Sequence, residues 1–355
     1  MRMIHCSDLH LDSAMETNLS ARQARERNDE ICATFSKLVT WAVEHQVEAV
    51  LIAGDLFDSR RVSVRTADFV LDRISRAPEV DFLYLRGNHD ESRDGFSDRT
   101  LPDNLKTFSA EWTTYRYGNV AVTAMEPENW ETMYDSLHLS PDDTNIVMLH
   151  GQEATQPGEE LIAVPKLRGK HIHYLALGHI HSYKKERLDG EGEYCYCGCL
   201  EGRGFDECGP KGFVLLDIEG KTVRTTFVPF AARMLHEVTV DISELTTVSR
   251  IQQAMEDASA DISTDSLVKF TLTGTYTPET QKDIPFLRKL LAQRFYFVKI
   301  KDESRFRIEK ETYIHDASLK GEFIRLVMAS DKTEDEKADI ICCGLRALAG
   351  QEVEL

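Results

Sequence analysis

No run of about 18 apolar residues, the length a helix needs to cross a bilayer, occurs anywhere in these 355 residues, so no transmembrane helix is expected. A secretory leader is not expected either, because Met-Arg-Met-Ile-His-Cys-Ser-Asp turns polar too soon. The expected location is therefore the cytoplasm, where free thiols outnumber disulfides. Positive charge is scarce: 42 Lys and Arg stand against 60 Asp and Glu, a formal charge of −18. Such a surface repels phosphate at long range, which excludes a uniformly basic nucleic-acid binder but leaves room for a local basic groove or a metal site. The cysteines contain no C-x2-C pair, so Cys195, Cys197, Cys199 and Cys208, in YCYCGCLEGRGFDECG, lack zinc-ribbon spacing. In an extended strand Cys195, Cys197 and Cys199 share one face, as core residues do; buried free thiols are the expectation, with a metal or redox role left open. There is no internal repeat and no low-complexity tract.

What is present reads as a larger α/β region followed by a smaller one, since a chain of this length exceeds one ordinary core. Residues 3–6, 49–53 and 82–85 are short apolar runs separated by helical spacing over 20–45 and 64–76. Further strand-length runs fall at 120–123, 146–149 and 174–177. Residues 213–218 and 223–228 flank the turn Glu219-Gly220-Lys221. After Pro229-Phe230 a β-α-β-α-β pattern covers 235–300, and helical segments at 319–329 and 335–348 straddle a polar linker. The expected divisions are residues 1–232, a small α/β cap at 233–304, and a helical segment at 305–355.

Five of the early strands run into residues able to hold a metal. They lead into Asp8-Leu9-His10, Gly54-Asp55-Leu56-Phe57-Asp58, Gly87-Asn88-His89-Asp90, His150-Gly151 and Gly178-His179-Ile180-His181. Each motif taken singly also reads as a turn. In an α/β sheet, however, loops leaving the carboxyl ends of strands share one edge, where ligands bind. Asp, His and Asn together suit Mn²⁺, Fe or Zn²⁺ without any cysteine.

In that order the motifs resemble the signature of calcineurin-like dinuclear metallophosphoesterases, over about residues 1–230. The resemblance implies a four-layer α/β/β/α sandwich. Ser-Asp-Leu-His-Leu, Gly-Asp-Leu-Phe-Asp and the small extra domain are similar to SbcD/YhaO-like DNA repair exonucleases. It further implies one divalent cation on Asp8, His10 and His181, a second on Asn88, His150 and His179, Asp55 between them, and His89 as the catalytic histidine. Mn²⁺ is the expected metal, with Fe or Zn²⁺ also suited. Asp12, Asp58 and Asp90 are expected to shape turns or orient imidazoles. The implied partners are DNA, an SbcC-like coiled-coil ATPase docked through the C-terminal segment, and a second copy of the chain; no membrane is implied. Arg60, Arg61, Arg65, Arg93, Lys184, Lys185 and Arg187 are candidate contacts to a DNA backbone, or solvated loop charges.

One stretch departs from the SbcD-like pattern: Tyr196-Cys197-Gly198-Cys199-Leu200-Glu201 replaces a Tyr-Pro-Gly-Ser type strand end. The following Gly202-Arg203-Gly204-Phe205 has the look of closing strands. The activity the resemblance implies is metal-dependent hydrolysis of DNA phosphodiesters, as an exonuclease or else an endonuclease. The alternatives are a phosphatase or phosphodiesterase for a small molecule or phosphoprotein, and an ATPase-binding scaffold with feeble catalysis.

Overall fold

Alternation along the first strands sorts their side chains into two layers. In the computed structural model, which describes residues 1–15, 19–58, 62–90, 96, 99–277, 280–307, 313 and 315–348, strands β1 (Arg2–Cys6), β2 (Ala49–Ala53), β3 (Asp81–Leu85) and β4 (Leu105–Thr107) pair in parallel. Ile4, Cys6, Val50, Ile52, Phe82 and Tyr84 join one core with Phe35, Leu38 and Ala42 of helix α1 (Ala21–Glu44) and Val70 and Ile74 of α2 (Val64–Ser75). Met3, Ala49, Leu51, Ala53, Leu83 and Leu85 turn the other way, onto a second sheet. Ser20 starts α1 by accepting from the Gln23 backbone N–H, while the Gln23 side chain reaches back in a capping box.

The second sheet contains β5 (Thr113–Tyr117), β6 (Val120–Ala124), β7 (Thr144–His150), β10 (Ile172–Gly178), β11 (Lys184–Arg187) and β12 (Glu193–Tyr196), in the order β11-β12-β10-β7-β6-β5. The small parallel pair β8 (Gln152–Ala154) and β9 (Leu161–Ala163) sits between β7 and β10 in sequence. The first sheet is completed by the antiparallel hairpin of β13 (Gly212–Glu219) and β14 (Thr222–Pro229), giving β14-β13-β1-β2-β3-β4. On the far side of the second sheet, Val147, Leu149, Leu175 and Leu177 pack with Met133 and Tyr134 of the short helix Met133–Ser136 and with Leu167. The result is the four-layer α/β/β/α sandwich.

The chain divides into two units, Met1–Met234 and Leu235–Leu355. The second holds a parallel sheet of Leu235–Asp241, Leu267–Thr273 and Phe297–Asp302, joined through helices Val248–Ala258 and Ile284–Leu291. Its core centres on Val268, Phe270, Leu272, Ile251 and Leu287. The helices Leu319–Met328 and Glu334–Leu348 follow. Among the described residues no helix is long and apolar enough to cross a membrane.

Two expectations are corrected here. The cysteine run does not form one continuous strand face: β12 ends at Tyr196 and Gly198 turns with φ 75°. Cys195 and Cys197 thus enter the core between the sheets, while Cys199 lies apart from it, its Sγ 3.8 Å from Glu207. Burial drives the thiols up, Cys195 to about 12, so they stay protonated and inert. Residues 202–205, expected to resemble closing strands, form part of the loop between β12 and β13.

Candidate metal centre

The five motifs do not come from one sheet edge. Three follow β1, β2 and β3 and two follow β7 and β10, so the centre straddles the carboxyl ends of both sheets. Backbone bonds lock the first two loops together, with Asp8 N–H donating to Gly54 O and His10 N–H to Asp55 O, both at 3.0 Å. His179 N–H donates across the sheets to Asp8 Oδ1 at 3.0 Å.

The side chains gather in two groups that share one oxygen. In the first, His10 Nε2 lies 3.1 Å from His181 Nε2 and 3.8 Å from Asp55 Oδ2, and His181 Nε2 lies 3.5 Å from Asp8 Oδ1. In the second, Asn88 Oδ1 lies 3.0 Å from His150 Nε2 and 3.3 Å from His179 Nδ1, with His150 Nε2 3.4 Å from Asp55 Oδ2. Donors held at about 2.0–2.2 Å from one cation stand roughly 3–3.6 Å from each other; all the spacings here fall at 3.0–3.5 Å except His10 to Asp55, which is slightly longer at 3.8 Å. Asp8, His10 and Asp55 are buried almost completely.

Electrostatics points the same way. Burial pushes the Asp55 carboxyl up, but the hydrogen bond from His150, the charges of His150 and His10, and the His89 backbone N–H outweigh it, and the net shift is downward. Burial pulls His150 down, yet its bond to Asp55 and the carboxylate charges lift it to about 9. The pocket is built to hold positive charge against Asp55, and its oxygen and imidazole donors fit a divalent cation in each group.

Around these donors lies a network of Asp58 and Asp90, which stand in the motifs, and of Arg203 and Glu207, which the motifs did not announce. His10 turns its Nδ1 to Asp58 Oδ1 at 3.0 Å, and Asp58 also lies 2.8 Å from Arg203 and 3.5 Å from His89 Nδ1. His181 turns its Nδ1 to Glu207 Oε1 at 2.7 Å, and Arg203 joins Glu207 at 2.9 Å. Both imidazoles are thus oriented by carboxylates that Arg203 ties together. Asp90, pushed to about 6 by burial and by the charge of Asp55, accepts from the N–H groups of Leu56, Phe57 and Gly87 and so fixes two of the loops. Ser7 donates to Asp8 Oδ2. Glu207 was missed because nothing local marks it; the clue available was Arg203 four residues earlier, in a glycine-flanked loop. Glu207→Gln is expected to weaken Mn²⁺ binding about 10- to 100-fold, read by calorimetric titration.

His89 sits at the open edge, its side chain 45% exposed and its ring 5.0 Å from His10. Asp12 accepts from the Ser63 N–H at 2.7 Å, as a loop tie. Of the basic candidates, Arg60, Arg61 and Arg93 lie outside the described residues. Lys184 is held by Glu153 and Glu186, Lys185 by Glu193, and Arg187 by the Asp189 and Gly190 carbonyls; Arg65 is exposed.

Backbone conformation is part of the construction. Asp8, His10, Asp55 and His179 all have positive φ (52°, 47°, 52° and 98°), a region costly for any residue with a Cβ. Gly178 is needed for space, since a Cβ there would come 1.9 Å from Ala53 O and 2.8 Å from His150 Nδ1. Gly178→Ala should cost about 3 kcal/mol, a fall of roughly 6–12 °C in Tm by calorimetry.

Residues 1–183 match the calcineurin-like phosphoesterase family. The chain is 26% identical over 308 residues to the uncharacterized metallophosphoesterase YhaO of Bacillus subtilis, covering 80% of this chain and 74% of that protein. It is 25% identical over 383 residues to the DNA double-strand break repair protein Mre11 of Sulfolobus acidocaldarius, covering 96% and 94%. Among solved structures, TT1561 of Thermus thermophilus matches 64% of this chain and 98% of its own, with TM-score 0.43 and 15% identity.

Proposed function

From the premise that this chain belongs to the calcineurin-like phosphoesterase family, we propose that it is a two-metal phosphodiesterase that cleaves DNA as the nuclease subunit of a repair complex. The observation that carries the chemistry is the single oxygen, Asp55 Oδ2, placed within 3.8 Å of His10 and 3.4 Å of His150. Asp8, His10 and His181 would hold one cation and Asn88, His150 and His179 the other, with Asp55 placed to serve both. Two divalent cations bound there, with Mn²⁺ the expected pair, supply a clamp for a phosphoryl group and offset charge on its attacking and leaving oxygens. His89 turns Nδ1 toward Asp58, which directs Nε2 toward a substrate oxygen, where it donates a proton to the departing alkoxide. Asp58 holds that ring in place.

The choice of DNA rests on the Mre11 repair proteins, whose length the chain matches nearly end to end in the Sulfolobus case. In this reading residues 1–232 are the nuclease, 233–304 cap it, and 305–355 dock an SbcC-type ATPase, with a second copy of the chain completing the complex. Leu319 and Leu326, 72% and 65% exposed on one helix, offer the docking segment an apolar contact. The formal charge of −18 favours the second reading, a small-molecule or phosphoprotein substrate.

Purified protein with Mn²⁺ is to be offered linear duplex DNA, a small chromogenic diester and a phosphopeptide. DNA degradation supports the nuclease; hydrolysis of the diester with DNA left intact, even with the co-purified ATPase, sinks it. Deleting residues 318–355 is expected to abolish ATPase co-purification while the small diester is still hydrolysed.

A further inference from the structure

The two groups of donors are fastened in different ways. In the second, His150 turns its Nδ1 to the carbonyl of Ala53, 2.9 Å away at the end of β2, so a strand orients the ring. In the first, the rings of His10 and His181 are aimed by Asp58 and Glu207, which Arg203 joins, and Arg203 and Glu207 belong to the loop between β12 and β13. What holds that loop is a charge network with no part in the donor sets. Arg27 of α1 and Glu201 of the loop are sealed from solvent, their side chains 1% exposed, and Arg27 Nη2 lies 3.2 Å from Glu201 Oε2. The same nitrogen donates at 2.8 Å to the carbonyl of Gly202, directly before Arg203. Glu201 Oε1 accepts from Thr34 Oγ1 at 2.7 Å and from the Ala232 N–H. Arg27 also donates to Glu30, which accepts from Arg233 Nε at 2.8 Å, so the last residues of the first unit close the network.

A buried pair of this kind adds little net stability, because desolvation offsets its attraction, but the planar guanidinium fixes the direction of each bond it makes. We infer that Arg27 and Glu201 are positioning residues for the cation of the first group alone. They hold Gly202 against α1; from that point Arg203 reaches Asp58 and Glu207, and those two carboxylates aim His10 and His181. Among the described residues no bond of this network reaches Asn88, His150 or His179. The inference rests on the two-metal reading above and adds to it an inequality between the two cation sites: one hangs on a strand, the other on a loop clamped by buried charge.

The test is a calorimetric titration of the metal-free full chain with Mn²⁺. Wild type should take up two ions. Glu201→Gln keeps the shape of the side chain and loses its charge; it should weaken one ion about tenfold and leave the other within a factor of about two. A double-mutant cycle then assigns the weakened ion. Joined to Glu207→Gln, Glu201→Gln should add almost nothing further, whereas joined to Asn88→Ala its loss should appear in full. Arg233→Gln acts at the outer end of the network, where its side chain is 20% exposed, and serves if Glu201→Gln does not fold. It should move the same ion by about threefold. A lower Tm with both affinities unchanged, equal weakening of both ions, or full additivity with Glu207→Gln overturns the inference. If wild type binds fewer than two ions, the two-metal reading has failed. Hydrogen exchange in the metal-free protein then decides the positioning role separately: faster exchange of the Arg203 and Glu207 amides in Glu201→Gln supports it, and equal rates overturn it.

Discussion

Asp55→Asn will lower Mn²⁺-dependent hydrolysis by at least about a thousandfold, roughly 4 kcal/mol of transition-state stabilisation. Asn keeps an oxygen in place of Oδ1 to accept the His89 backbone N–H, now at 2.9 Å, so the loop survives the change. What disappears is the negative charge at Oδ2, the position reached by both His10 and His150. Each cation would lose an anionic donor at once, and the amide NH2 left at that position offers no lone pair and cannot offset the mutual repulsion of two dications in a buried pocket. Elemental analysis after desalting should find fewer than two metals per chain. A second readout comes from linkage: Mn²⁺ should raise the Tm of the wild type, because it binds the native state, and should raise that of the variant much less. A variant that keeps both metals and full activity would remove Asp55 from the centre.

His89→Ala should act differently, lowering kcat by about 10²–10⁴ while leaving metal content at the wild-type level. The ring stands at the open edge of the centre and none of its described contacts is to the donors' metal-facing oxygens; Asp58 and the edge of the His10 ring are its neighbours. If the ring protonates the departing oxygen, the loss must depend on that oxygen. An acidic leaving group such as 4-nitrophenolate departs without help, so the variant should retain much more activity on 4-nitrophenyl diesters than on DNA, whose leaving alkoxide is basic. Equal losses on both substrates would assign His89 to binding the phosphoryl group instead. Loss of metal would make it a donor.

Much of this centre was legible because its donors come in short motifs at strand ends, where Asp8-Leu9-His10 or Gly178-His179-Ile180-His181 can be read within a few residues. The apolar runs behind them marked the strands, and the helical spacing at 248–258 and strand alternation at 267–273 match the observed Val248–Ala258 and Leu267–Thr273. What stayed hidden depends on contacts distant in sequence. That the motifs lie on two sheets, not one, is decided by packing of Leu51 and Leu83 against Ile146 and Ala176, which no local pattern encodes. Glu207 meets His181 across 26 residues, and Arg203 reaches Asp58 across 145. Strand β5 was overlooked despite a usable signal: Thr-Thr-Tyr-Arg-Tyr is rich in β-formers and precedes Gly118-Asn119, a hairpin turn. The cysteine run reads correctly as buried free thiols, but not as one strand face, because β12 ends at Tyr196 and Gly198 turns the chain before Cys199.

The left-handed backbone at Asp8, His10 and Asp55 has a consequence for the history and engineering of this chain. At such φ values glycine alone is at ease, whereas aspartate and histidine carry a Cβ and are held there by the surrounding sandwich, at about 1–3 kcal/mol each. A population of variants selected for heat resistance alone would therefore drift toward glycine at these positions and grow sturdier as the centre lost its candidate donors. Retention of all three residues through such a selection would mean that catalysis, and not folding, had been keeping them there.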